Sequence, residues 1–402
     1  MSSDVRLENR DFTAPPTFAR LQQRALLVGA VLALAALAGL VAQPRQAMHS
    51  YLLAFMLCLG PTLGAMALLM VCHLTGGDWG VGIRRILEAA MGTLPMLAAA
   101  FIPIVLGAYL HLNYPWANPE ELKRSEHLMH QASQYLNPNL FLARGVLYFI
   151  AWGVMAYFLL AWSEAQDRPP ERPPDKRFQA LSAVGIIIYG WTLTFAVIDW
   201  VMSLTPEFTS TIYGLIFMVG QGLIALCLAT IVGHRLRSCG PMSEVLTTRS
   251  FHDYGKLILT FVMLWAYFSF SQWLIVWSGN LPEEIHWFQD RIKGDWGAMG
   301  LALIVGHFAI PFALLLSRGL KQNSRKLMWI AVWLILMRYL DLYWNIKPSF
   351  DTAKLHYSWL DAVLPLAMSA LWLGYFLWNL RRRPLVALHD PHLAALLAKQ
   401  HE

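Results

Sequence analysis

The residues with chemistry to offer in this sequence are ionisable side chains set inside long apolar stretches. A charge in hydrocarbon is expensive, so such residues are functional candidates by default. Asp199 lies about five residues before the end of the fifth apolar stretch. Arg338 and Asp341 lie about seven and four residues before the end of the ninth, and Asp361 about four residues into the tenth. Alternate stretches run in opposite directions, so these four residues fall in one leaflet. His307, about ten residues into the eighth stretch, falls near the midplane. At a rise of about 1.5 Å per helical residue, the positions predict an acid-and-base cluster with a histidine below it. Toward the other leaflet stand His73, Arg84, Arg85, Glu88, His252, Asp253 and Lys256. Groups of these types support proton transfer or the passage of a polar substrate.

Plainer readings stand beside this one. Arg338 and Asp341 are spaced i,i+3 on one helix face and can neutralise each other. Asp199 precedes Trp200 and can snorkel to an interface or cap the next helix. His307 can be a hydrogen-bonded core residue, and Glu88 with Arg84 or Arg85 reads as a solvated pair at headgroup level. Even so, Asp199, His307, Arg338, Asp341 and Asp361 span four helices, which is more than packing needs.

Other chemistries are disfavoured. A haem between helices needs two histidines at matching depth, and only His307 is near the midplane. His127 and His130 form an HxxH without a third ligand at metal spacing. Gly80-Val81-Gly82 runs into Ile83-Arg84-Arg85, which is neither a dinucleotide fingerprint nor a phosphate loop. Cys58, Cys72, Cys227 and Cys239 include no CxxC, so no covalently bound cofactor, metal or iron–sulfur cluster is expected. Any electrons must come from a partner or a diffusible lipid-soluble carrier.

The elements that position these groups follow from hydropathy. Of 402 residues, 57% are apolar and 14% charged, against about 25% charged in soluble domains. Ten stretches of about 18 residues or more, at 25–42, 51–71, 86–111, 141–162, 178–204, 211–232, 254–278, 297–316, 326–345 and 357–380, are predicted to be membrane-spanning helices. They lack the two-residue alternation of barrel strands. The chain therefore reads as an all-α polytopic membrane protein. It has a segment at 1–24, a ten-helix domain at 25–380 and a tail at 381–402. The first stretch is longer than a signal-peptide core and is read as a true span.

The net charge of +6 fits membrane topology rather than nucleic acid. Outside the spans, only Arg45, Lys123, Arg124, Arg291, Lys293, Lys347 and Lys354 fall on one side, and about three times as many Lys and Arg on the other. The positive-inside rule makes the richer side, with both termini, cytoplasmic. Trp and Tyr near the poorer side, such as Tyr114, Trp116, Trp277 and Trp359, read as an interfacial belt. The stretch 163–177 carries Pro169, Pro170, Pro173 and Pro174 and reads as a linker between two halves. In the tail, Asp390 is placed as the N-cap of a short helix.

Several stretches together carry a resemblance: Ile198-Asp199-Trp200-Val201-Met202-Ser203-Leu204-Thr205-Pro206, Ser210-Thr211-Ile212-Tyr213-Gly214, Phe261 to Tyr267, Phe270-Ser271-Gln272, Trp277-Ser278-Gly279-Asn280-Leu281-Pro282-Glu283-Glu284, Asp341-Leu342-Tyr343-Trp344 and Trp359-Leu360-Asp361. From about Tyr51 to the tail, the chain resembles the NrfD-like, or polysulfide-reductase-like, family. Within it, the chain is most similar to the second such membrane subunit of alternative complex III, a quinol:cytochrome c oxidoreductase.

The resemblance implies two four-helix bundles, spans two to five and six to nine, flanked by spans one and ten. The proline-rich stretch would then lie inside the first bundle instead of dividing two halves. Tyr51 to His73 and Tyr213 to His234 would be the trace of a repeat. It also implies a bacterial inner-membrane location and bound quinone or quinol. The implied partners are a multi-haem cytochrome c, an iron–sulfur subunit and a paralogous NrfD-like membrane subunit. Asp199, His307, Arg338, Asp341 and Asp361 would line one proton half-route, and Glu88 and Lys256 the other. The competing readings are a stand-alone secondary transporter or channel, supported by Pro61, Pro95, Pro103, Pro311 and Pro365 within spans, and a subunit that only docks others.

Overall fold

The computed structural model describes residues 12–123, 125–167, 175–351 and 355–388, with 390, 392, 393 and 396 of the tail. Ten helices in it are long and apolar enough to cross a membrane, and no strand occurs among the described residues. We number them α1 (Pro16–Ala42), α2 (Pro44–Thr75), α3 (Arg84–Tyr109), α4 (Pro138–Ala165), α5 (Lys176–Leu204), α6 (Tyr213–Leu236), α7 (Thr248–Gly279), α8 (Gly294–Leu316), α9 (Ser324–Ser349) and α10 (Trp359–Arg381). Each overlaps one of the ten expected stretches. Prolines 169, 170, 173 and 174 lie outside the described residues.

Local chemistry sets the ends. Pro16, Pro44 and Pro138 open α1, α2 and α4, where a missing N–H costs nothing. Asn137 caps α4 by accepting from the Leu140 N–H. Thr247 with Ser250 and Ser358 with Asp361 form capping boxes at the starts of α7 and α10. Two interruptions were not legible in the hydropathy. Helix α3 breaks between Met91 and Leu94, because the Pro95 ring collides with the carbonyl four residues back, that of Met91. For the same reason α8 widens into a π turn over Ile304–Ala309 just before Pro311.

Helices α2 and α6 form the centre, with 89% and 78% of their apolar windows buried, against 22% for α1 and α7. They cross at Gly64, where a Cβ would stand 2.0 Å from the Gln221 carbonyl oxygen. Hydrocarbon supplies no hydrophobic drive between helices, so such close backbone packing carries their association. Around this crossing α2 touches α3, α5, α9 and α10, while α6 touches α5, α7 and α9; α1 lies along α10.

Candidate functional site

At one end of the bundle three carboxylates are buried, each with its own base. Asp199, fully enclosed, takes a two-pronged grip from Arg144 of α4, Nε and Nη2 each donating at 2.9 Å. The Tyr148 hydroxyl adds a third bond at 2.7 Å. Arg144 lies over the Tyr135 ring and donates to its carbonyl. Asp341 pairs with Arg338 one turn earlier, the neutralising partner that i,i+3 spacing offers. Gly220 makes room for this guanidinium, since a Cβ there would lie 2.2 Å from its Cζ. Asn345 donates to Asp341, and Tyr213 to Asn345. Asp361 accepts from Ser50 at 2.6 Å and Lys347 at 2.8 Å, and closes the α10 capping box. Among the described residues no direct hydrogen bond or ion pair joins one of these three pairs to another. In each, the neighbouring cation offsets the cost of desolvating the acid.

Arg144, inside the fourth span, and Arg291, outside the spans, are not among the candidates drawn from the sequence. Arg291, 1% exposed, donates to the carbonyls of Trp344 and Asn345 and to Ser349 Oγ, holding the end of α9. Burial lowers its pKa to about 10. The signal that could have found both is depth, since each lies level with the acids or helix ends it serves.

His307 sits alone in the π turn. It is fully buried, its ring centroid is 4.1 Å from that of Trp265, and neither ring nitrogen has a hydrogen-bond partner among the described residues. The turn displaces the Gly306 carbonyl, which accepts from Trp333 Nε1 at 2.7 Å. No direct hydrogen bond joins His307 to the acid pairs among the described residues.

The opposite end corrects one expectation. Glu88 is no solvated headgroup pair: it is 3% exposed and bonded by Arg84 at 3.0 Å, Arg85 at 2.8 Å and Ser163 at 2.5 Å. Arg84 also reaches Gln166 at 2.7 Å and Asp390 of the tail at 2.6 Å, and Arg85 reaches Asp167 at 2.5 Å. Burial raises the Asp167 pKa, with Arg85 opposing. Asp390 accepts from the His392 N–H, as its placement as an N-cap requires. A cavity of about 210 Å³ between α3, α4 and α10 reaches Glu88. Lys256 does not join this network; it is exposed and pairs with Asp253 at 3.0 Å.

The two ends are linked by matching spacings. Ser182, Asp199 and Ser203 of the fifth span and Pro206 just past it have the same spacing as Ser324, Asp341, Asn345 and Pro348 of the ninth. Their roles match too. His73 meets Ser182 at 3.2 Å and His234 meets Ser324 at 3.0 Å. Ser203 and Asn345 each donate to the carbonyl of the aspartate one turn before.

Titratable groups thus gather at both ends of the helices, and His307 stands between them. No three His, Cys, Asp or Glu residues gather as a metal site among the described residues. Fold and site together define a polytopic α-helical protein with ten potential spans and buried carboxylates that are each paired with a base. No family model matches the chain, and no curated protein is similar to it at a significant level.

Proposed function

We propose that the chain is an NrfD-like membrane subunit of a quinol:cytochrome c oxidoreductase of the alternative complex III type, serving proton conduction, quinone binding or both. It sits in a bacterial inner membrane with its arginine-rich end and both termini cytoplasmic. Spans α2–α5 and α6–α9 form two four-helix bundles related by the recurring Ser-Asp-Pro spacing. Its partners are a multi-haem cytochrome c, an iron–sulfur subunit and a paralogous NrfD-like subunit, and it carries no redox cofactor of its own.

The observation that carries this reading is the distribution of buried charge. Asp199, Asp341 and Asp361 with their bases occupy one end, the Glu88 network with its polar cavity occupies the other, and His307 lies between them with no hydrogen-bond partner for either ring nitrogen among the described residues. Five enclosed carboxylate and imidazole groups in a bundle of this size are a large desolvation load, which proton half-routes would explain. For quinone, support comes from an apolar groove of about 350 Å³ between α3 and α4. Its wall residue Phe101 lies 4.9 Å from the Trp200 ring, beside Asp199, and the Trp200 indole N–H has no partner among the described residues. A photoreactive quinone should label this groove; labelling confined to the paralogue removes the quinone half of the proposal.

A stand-alone transporter is the second reading, favoured by the break in α3, the π turn in α8 and Pro61, Pro103 and Pro365 inside helices. Purification separates the two. The redox subunit brings stoichiometric haem absorbance with it, whereas a transporter runs alone and colourless.

A further inference from the structure

The cavity between α3, α4 and α10 has two kinds of wall. Leu160 and Leu380 form an apolar side, and Arg85, Arg382 and Arg383 a cationic one. Its two acids are already spent. Glu88 takes bonds from Arg84, Arg85 and Ser163, and Glu164 is paired with Arg383. Two donors are not. Arg85 is 3% exposed and its Nη atoms are taken by Glu88 and Asp167, which leaves its Nε without a partner among the described residues. Arg382 is exposed at the cavity mouth, rests over the Trp378 ring at 4.3 Å and meets no carboxylate among the described residues, so the buried unpaired donor of this cavity is the Arg85 Nε alone.

A buried donor without an acceptor costs about 1–3 kcal/mol, so a cavity arranged this way favours an occupant that brings acceptors. Guanidinium groups match phosphate oxygens two at a time. Basic pockets between membrane helices at headgroup level suit anionic headgroups, and Arg382, at the end of the last span, stands at that level. We propose that this cavity is a phosphate-group site, filled by the headgroup of an anionic phospholipid or by inorganic phosphate. The site needs neither quinol nor a redox partner, so it holds or fails separately from the function proposed above.

The test uses the full chain, with whatever subunits co-purify, in detergent. Bound phosphorus and thermal midpoint are measured for the wild type, for Arg382→Gln/Arg383→Gln, and for Arg20→Gln/Arg24→Gln as a control pair outside the cavity. Phosphatidylglycerol added as mixed micelles should raise the wild-type midpoint and phosphatidylcholine added in the same way should not. A matching rise with inorganic phosphate alone assigns the site to the free ion. The cavity pair should weaken retention about tenfold or more, and the control pair should leave it unchanged. Equal loss from both pairs reveals only diffuse attraction to a positive surface and overturns the proposal. So does a wild-type midpoint indifferent to both anions, which remains decisive if the cavity pair fails to fold.

Discussion

Each buried aspartate at the acidic end depends on a base from a particular place, and that dependence can be measured. Arg144→Met leaves Asp199 enclosed without its cation, an arrangement that costs about 3–5 kcal/mol. Replacing both partners, Arg144→Met with Asp199→Leu, should recover most of that loss in thermal unfolding, because no uncompensated charge is left. A second prediction concerns Asp167, whose pKa is raised by burial. A carboxyl that keeps its proton longer when folded favours folding at low pH. That contribution fades as pH climbs from the ordinary value of 3.8 through the raised one. Asp167→Asn should therefore flatten the midpoint-against-pH curve in the acid range, by removing a component that falls with rising pH. Asp199, Asp341, Asp361, Glu88 and His307 were all legible in the sequence as costly groups in apolar runs. Their partners were not, except for Arg338 and the arginines beside Glu88. Arg144 stands 55 positions before Asp199, and such a pairing is set by helix packing, which no local pattern records. Lys256 misled for the complementary reason: depth along a helix does not reveal which face the side chain occupies.

Helices were legible because bilayer thickness dictates their length, and every expected stretch overlaps an observed one. Their interruptions were less so, since a proline sits equally well in a hydropathy window whether it bends, breaks or widens the helix. At α8 the π turn places His307 and turns the Gly306 carbonyl toward Trp333. Trp333→Phe should leave that carbonyl without its donor and cost about 1–3 kcal/mol, read as a lower midpoint. At the α2–α6 crossing the obstacle to a larger residue is backbone, not a flexible side chain. Gly64→Ala must therefore push the two central helices apart, and the overpacking cost of about 1–3 kcal/mol should appear as loss of folded protein in detergent. A change at an outward-facing position away from this crossing, such as Ile150→Val at a residue 56% exposed on α4, should leave the midpoint unmoved. The shared Tyr and His at the ends of spans two and six hinted at a repeat, but the matching spacing of Ser182 and Asp199 with Ser324 and Asp341 on spans five and nine was not drawn from the sequence. Spacing becomes meaningful once both histidines are seen to hold the corresponding serines.

For the whole molecule, the proposed orientation and the proposed proton routes stand or fall together, because acids at one end are useful only if that end faces the side where protons are released. Ser133, exposed before α4, and Ser243, exposed between α6 and α7, report opposite ends. In a Cys239→Ser background, an impermeant thiol reagent added outside intact cells should label Ser133→Cys and spare Ser243→Cys; the reverse pattern refutes the orientation. With that settled, Asp199→Asn and Asp341→Asn test the chemistry. Each swap keeps the shape and removes a negative charge from a buried pair, so some destabilisation is expected in both. The informative readout is therefore proton release per quinol oxidised by the assembled complex, with haem content as the measure of assembly. If these aspartates line the outer half-route, release should fall while haem stays stoichiometric. If release per quinol is unchanged in both variants, their ion pairs serve packing alone, and the charge distribution that carries the functional proposal loses its reason.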